Sequence, residues 1–160
     1  AAEKLFSVYP DPQAIASADV SSIEALIHKA GLSKAKSKNI KAMSAIVAES
    51  GIPETMEGLQ KLPGVGEKTA ACYVSEILGK NAVIADTHFV RVAMRIGFTD
   101  TVDRAASARE IRERFDESLW TRISMVLNLH GRTCCKPKPL CTECPVSALC
   151  PSSGCATGQS

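Results

Sequence analysis

The sequence predicts an all-α body followed by a cysteine-tied tail, and three observations carry that expectation. Apolar residues recur at helical spacing through most of the chain, while strand-like alternation is nearly absent. Of the 160 residues 45% are apolar but only 4% aromatic, so the core is built mainly from Leu, Ile, Val and Ala. Six of the seven cysteines crowd into 134–155, past the last periodic segment.

Residues 12–18 and 21–30 read as two short helices, with Asp19 placed to cap the second and Gly31 to end it. A longer helix over 36–49 sets Ile40, Met43, Ile46 and Val47 on one face, and Gly51-Ile52-Pro53 breaks it. A short helix over 55–61 runs into Leu62-Pro63-Gly64-Val65-Gly66. A helix over 67–78 follows at once and stops at Gly79. Asp86 stands as an N-cap, with Val90, Val92, Ala93 and Ile96 apolar behind it and Gly97 at the end. Helices over 107–115 and 119–129 complete the body, the last closed by Gly131. From Thr133 onward there is no periodicity, only Cys, Pro and Lys. The expected division is a helical portion over 1–116, with a helix–hairpin–helix at about 56–78, and a last helix plus cysteine loop (134–150) over 117–160.

No apolar run is long enough to span a membrane, and no basic-then-apolar segment opens the chain. Lys and Arg total 19 against 17 Asp and Glu, a net charge of +2 that neither demands nor excludes nucleic acid. An odd cysteine count crowded at one end, without a signal segment, reads as a metal or cluster site in a reducing compartment rather than a disulfide framework.

Three constellations carry chemistry. Two glycines two apart in Leu62-Pro63-Gly64-Val65-Gly66 let the backbone turn tightly and free their amides beside the N-terminus of the next helix, where the helix dipole favours an anion. The alternative is a helix corner with no ligand. Lys68 sits in the first turn of that helix, against the dipole, where a purely structural lysine is disfavoured. A free lysine has a pKa of about 10.4, so about one in 2,500 is the neutral amine at pH 7; nucleophilic work requires positive potential or burial to raise that fraction.

The second constellation is Ala85-Asp86-Thr87-His88 after an apolar segment. Asp86 is an N-cap that could also serve a lysine as proton acceptor or stabilise a developing cation, and His88 reads as bracing the corner. The third is Cys134-x6-Cys141-x2-Cys144-x5-Cys150. Only Cys141 and Cys144 form the short pair that zinc sites use at both ends, so uneven spacing favours a [4Fe-4S] cluster. Cys134 and Cys135 compete for the first ligand position, with spacing favouring Cys134; Cys155 is left over.

Together these residues resemble the endonuclease III branch of the helix–hairpin–helix DNA glycosylases. The likeness rests on Leu62-Pro63-Gly64-Val65-Gly66-Glu67-Lys68-Thr69-Ala70, Asp86-Thr87-His88-Phe89-Val90-Arg91-Val92, His130-Gly131-Arg132 and the cysteine loop, in that order from about residue 5 to 150. It implies a helical barrel and a cluster-bearing lobe flanking a DNA groove, with the family's N-terminal helices missing from this sequence. It implies Lys68 as nucleophile and Asp86 as essential carboxylate of a bifunctional glycosylase and AP lyase acting on oxidised pyrimidines, with a [4Fe-4S] cofactor. It further implies duplex DNA bearing a damaged base or abasic site as partner, no membrane, a monomer, and a cytoplasmic, nucleoid-associated location.

Within the resemblance, DNA contacts fall on Leu32, Lys34, Lys36, Gly64, Val65, Gly66, Thr69, Arg132, Lys136 and Lys138. Leu32 either fills the gap left by a flipped base or packs behind Gly31. Other readings are a non-catalytic DNA-binding module, a monofunctional mismatch glycosylase and a zinc-tailed helical scaffold.

Overall fold

The computed structural model describes residues 1–154; Cys155 lies outside them. The described residues are helical with no strand, as the periodicity predicts. They divide into two compact units, Ala1–Gly66 and the described residues from Glu67 onward. Residues 67–116, grouped in the sequence with the N-terminal portion, thus fall in the same unit as the cysteine loop.

The first unit holds α1 (Ala2–Val8), α2 (Pro12–Ser17), α3 (Val20–Ile27), α4 (Ser33–Ser50) and α5 (Met56–Gln60). Its core is Leu5, Ile15, Ala18, Ile23 and Ile27, with Tyr9, Leu26 and Ile40 packed against it. Asp11 and Thr55 cap α2 and α5 through their side chains, accepting from the amides of Ala14 (2.8 Å) and Gly58 (3.1 Å). Asp19 occupies the N-cap of α3, but its side chain makes no capping bond, contrary to expectation. The Lys41 ammonium donates to the Ala18 carbonyl at 2.6 Å and ties α4 to the end of α2.

Four longer elements build the second unit: α6 (Glu67–Glu76), α7 (Thr87–Arg95), α8 (Arg104–Arg114) and α9 (Trp120–Thr133). Two single turns, Cys141–Glu143 and Ser147–Leu149, follow in the cysteine loop. Phe89, Val92 and Ala93 from α7, Ala108 and Ile111 from α8 and Leu127 from α9 make the core, joined by Val83, Ala85 and Cys135. Phe98 and Phe115 close its edge as a tilted ring pair 5.0 Å apart. Helix α8 begins at Arg104, before the expected position 107, because Asp103 caps it by accepting from the Ala106 amide at 2.8 Å.

Gly131 does not end the last helix. It lies buried inside α9, where a Cβ would stand 2.9 Å from His88 Cβ and 3.1 Å from Val92 Cγ2. The glycine permits close approach of α7 and α9 instead. Gly131→Ala is accordingly expected to cost about 1–3 kcal/mol by overpacking, read as a lowered midpoint in thermal melts followed by circular dichroism. A melt matching the parent would mean that this helix contact yields without cost.

Candidate active site and metal centre

After α5, the Leu62 amide donates to the Leu59 carbonyl and the Val65 amide to the Leu62 carbonyl, both at 3.1 Å, closing a tight turn over Pro63 and Gly64. Gly64 has φ +79°, and a Cβ there would meet the Asn39 side chain of α4 at 2.8–2.9 Å, so conformation and space both require glycine. Around Gly66 nothing stands within 4 Å of a Cβ. The amides of Gly64 and Gly66 have no acceptor among the described residues, whereas that of Val65 is spent inside the turn.

Helix α6 starts at Glu67, whose Oε1 accepts from Arg112 of α8 at 3.0 Å. Lys68 and Thr69 follow, both exposed, and the Lys68 ammonium makes no hydrogen bond or ion pair among the described residues.

Asp86 is the N-cap of α7 in extended backbone, φ −103° and ψ −176°. Its Oδ1 accepts from the Phe89 amide at 2.8 Å, and its Oδ2 accepts from Asn128 Nδ2 of α9. Two donors therefore fix both oxygens of a half-buried carboxylate. His88 braces the same corner, its Nδ1 lying 3.1 Å from Arg91 Nη2 and 3.4 Å from the Gly131 carbonyl.

Arginines of α7 hold the start of the cysteine loop. Arg91 donates to the carbonyls of Gly131 (2.8 Å) and Cys135 (3.0 Å). Arg95 donates to the carbonyls of Lys136 (2.6 Å) and Pro137 (3.0 Å) and to Cys135 Sγ (3.3 Å). At the other end, Cys150 Sγ donates to the Arg95 carbonyl at 3.5 Å. One helix thus anchors both ends of the loop.

Inside the loop Cys134, Cys141, Cys144 and Cys150 line a single cavity of about 480 Å³. Cys134 Sγ, Cys144 Sγ and His130 Nε2 lie within 4.8 Å of one another. Desolvation, a hydrogen bond to Cys144 and the neighbouring cysteines push the Cys134 thiol up to about 11. Thiols so crowded resist ionising together, and a positively charged metal centre is what allows it. The donor set and the space therefore fit a cysteine-ligated metal group. Cys135 also borders the cavity but is 92% buried, joins the apolar core and meets Arg95.

Comparison with known proteins decides the family. Residues 1–119 match the HhH-GPD superfamily of base excision DNA repair proteins. The chain is 38% identical over 154 residues to endonuclease III of Synechocystis sp., spanning 93% of this chain and 70% of that one. The chain belongs to the endonuclease III family. Endonuclease III of Thermotoga maritima is 36% identical over 148 residues, covering 90% of this chain and 70% of its own. A solved structure of a trapped endonuclease III–DNA covalent intermediate superposes with TM-score 0.85 at 30% identity over 95% of this chain and 74% of that one. A thermostable thymine-DNA glycosylase superposes with TM-score 0.73 at 26% identity, with the same coverages.

Set within the endonuclease III family, the sequence-predicted residues fall in distinct places. The four cysteines share one cavity. Lys68 and Asp86 lie in the same compact unit at the starts of successive helices and do not ion-pair. Leu32, the N-cap of α4, is 81% exposed in the left-handed conformation at φ 53°, the single non-glycine residue with positive φ among those described. It does not pack behind Gly31. Lys34, Arg132, Lys136 and Lys138 are exposed, whereas the Lys36 ammonium is occupied by the Ala30 carbonyl at 2.5 Å.

Sequence reasoning missed Asn128, Arg95 and the ring of His130 beside Cys144. A polar stripe at Thr121, Ser124 and Asn128, spaced three and four apart along one face of α9, is the signal that could have revealed the first.

Proposed function

We propose that the chain is a bifunctional DNA glycosylase and AP lyase with Lys68 as nucleophile and Asp86 as the carboxylate that serves it. Family membership supports DNA glycosylase activity in base excision repair. The observation that carries the finer reading is the contrast between two side chains of one unit. Lys68 is exposed and unpaired in the first turn of α6, while both oxygens of Asp86 are held at the N-cap of α7.

The damaged base leaves the duplex stack at a cost of a few kcal/mol, which damage itself lowers. Lys68 Nζ, as the free amine, attacks C1′ of the deoxyribose, the N-glycosidic bond breaks and the base departs with its electron pair. Asp86 accepts the proton released from the lysine or stands by the cationic sugar. The C1′–O4′ bond of the ring then breaks, with O4′ taking up a proton, so that C1′ and Nζ form a protonated Schiff base; loss of a C2′ proton follows, and β-elimination breaks the C3′–O bond on the 3′ side of the lesion. Substrates are oxidised pyrimidines.

Leu32 supplies the wedge: an apolar side chain held in solvent in a backbone conformation costing about 1–2 kcal/mol is built for contact with something outside the chain. The free amides of Gly64 and Gly66 receive phosphate oxygens, with Val65 shaping the turn; Thr69, in the first turn of α6, is a further DNA contact. Lys34, Arg132, Lys136 and Lys138 add backbone contacts with steep salt dependence, and Lys36 ties the loop that carries Leu32. Cys134, Cys141, Cys144 and Cys150 would hold a [4Fe-4S] cluster, which when bound stiffens the loop bearing Lys136 and Lys138 and takes no part in base removal. The partner is duplex DNA with a damaged base or abasic site, met by a monomer. No helix among the described residues is long and apolar enough to cross a membrane.

A monofunctional mismatch glycosylase is disfavoured by the lysine at position 68. Borohydride trapping on a duplex with one abasic site tests the reading: a covalent adduct is expected from the parent and none from Lys68→Ala. An adduct of equal yield from Lys68→Ala would remove Lys68 from the nucleophile's role.

A further inference from the structure

Alternate residues of the segment leading into α7 bond to a polar stripe along α9. The Ala82 amide donates to Thr121 Oγ1 at 3.1 Å, and the Ile84 amide donates to Ser124 Oγ at 2.9 Å. Two residues further on, Asp86 Oδ2 accepts from Asn128 Nδ2. An extended chain repeats every two residues and a helix face every three to four, so 82, 84 and 86 stay in register with 121, 124 and 128. Between them Val83 and Ala85 point into the core, at 2% and 5% exposure, and prevent the segment from slipping. Ser124 is itself 2% exposed and returns its hydroxyl proton to the Trp120 carbonyl at 2.8 Å. The first two rungs fix backbone. The third grips a carboxylate.

We infer that Asn128 is a positioning residue that sets the plane of the Asp86 carboxylate for base release; the inference rests on the role proposed for Asp86 above. The Phe89 amide alone holds one oxygen and leaves the group free to rotate about its Cβ–Cγ bond. A second donor on the other oxygen removes that freedom, so the remaining lone pairs point in one direction. An amide suits the task because it carries no charge. A lysine or arginine at 128 would hold the carboxylate equally well but would neutralise the charge that a proton or a cationic sugar needs to meet.

The test measures single-turnover base release from a duplex with one oxidised pyrimidine, and affinity for the same duplex carrying a tetrahydrofuran abasic analogue. Asn128→Leu is expected to release base about tenfold more slowly, the scale of one hydrogen bond to a charged group, with affinity unchanged. Asp86→Asn/Asn128→Leu is expected to be no slower than Asp86→Asn alone, because the second change then has nothing left to aim. Should leucine at 128 unfold the chain, Asn128→Ser, too short to reach Asp86, is expected to show the same loss of rate at unchanged affinity.

A parental rate in both Asn128 variants, or losses that multiply in the double variant, would overturn the inference. A parental rate in Asp86→Asn would overturn the role of Asp86 and this inference with it. A dead Asp86→Asn beside a parental Asn128→Leu overturns the inference alone.

Discussion

Asp86→Asn is expected to keep the fold and lose base release by a factor of about 10² to 10⁴, the usual contribution of a positioned acid or base. Asp86 does two things at once: its Oδ1 caps α7 through the Phe89 amide, and its charge serves the reaction proposed for Lys68. Asparagine separates these, because it caps a helix about as well as aspartate while carrying no charge. Thermal melts of Asp86→Asn should therefore stay close to the parent. Asp86→Ala should lose the activity and a further ~1 kcal/mol of stability, because the first turn of α7 loses its cap. The pair of variants, measured by single-turnover base release and by melting, assigns each loss to its cause. Base release by Asp86→Asn within a few-fold of the parent would leave Asp86 as a cap alone.

The same double use explains what was legible in the sequence. A short polar residue before an apolar helical stretch suggests a cap, and Asp86 caps through its side chain as expected, whereas Asp19 stands at an N-cap without the bond and Asp11, Thr55 and Asp103 cap helices where none was singled out. Gly64 was legible because a turn between two helices needs positive φ, and φ there is +79°. Gly131 was misread for a related reason. A glycine near the end of a periodic stretch signals a stop, but close packing of two helices demands the same residue, and only the neighbours His88 and Val92 tell the two apart. Leu32 was visible as apolar but not as exposed, because exposure there follows from a left-handed backbone that no local pattern encodes. Asn128 was invisible as a site residue: it lies 42 positions from Asp86, and its role exists only once α9 lies along the 82–86 segment. Local rules thus recovered the elements and the cap at Asp86, while the contacts that aim Asp86 and anchor the cysteine loop required the tertiary fold.

The adjacent cysteines give the second large effect. Cys134→Ser is expected to abolish stable binding of an iron–sulfur group, while Cys135→Ser retains it. Spacing alone set the two one residue apart and favoured Cys134. The structure separates them by environment: Cys134 Sγ faces Cys144 and His130, whereas Cys135 is buried in the core and accepts from Arg95 at 3.3 Å. A ligand must ionise against a metal charge, and desolvation, with the Cys144 hydrogen bond and the neighbouring cysteines, pushes Cys134 up to about 11, a shift such a charge would oppose. Cys135 has an apolar shell and one guanidinium contact, so its serine variant buries a hydroxyl where a thiol packed, at a cost of about 1–2 kcal/mol. Iron content per chain and the brown absorbance of the purified variants decide the matter. Loss of iron from Cys135→Ser with retention in Cys134→Ser would exchange their roles, and the loop would then have to close with five residues rather than six between its first two ligands. Zinc in place of iron in the parent would remove the cluster from the proposal while leaving the cavity, its cysteines and their anchoring by α7 as a metal centre of the other kind.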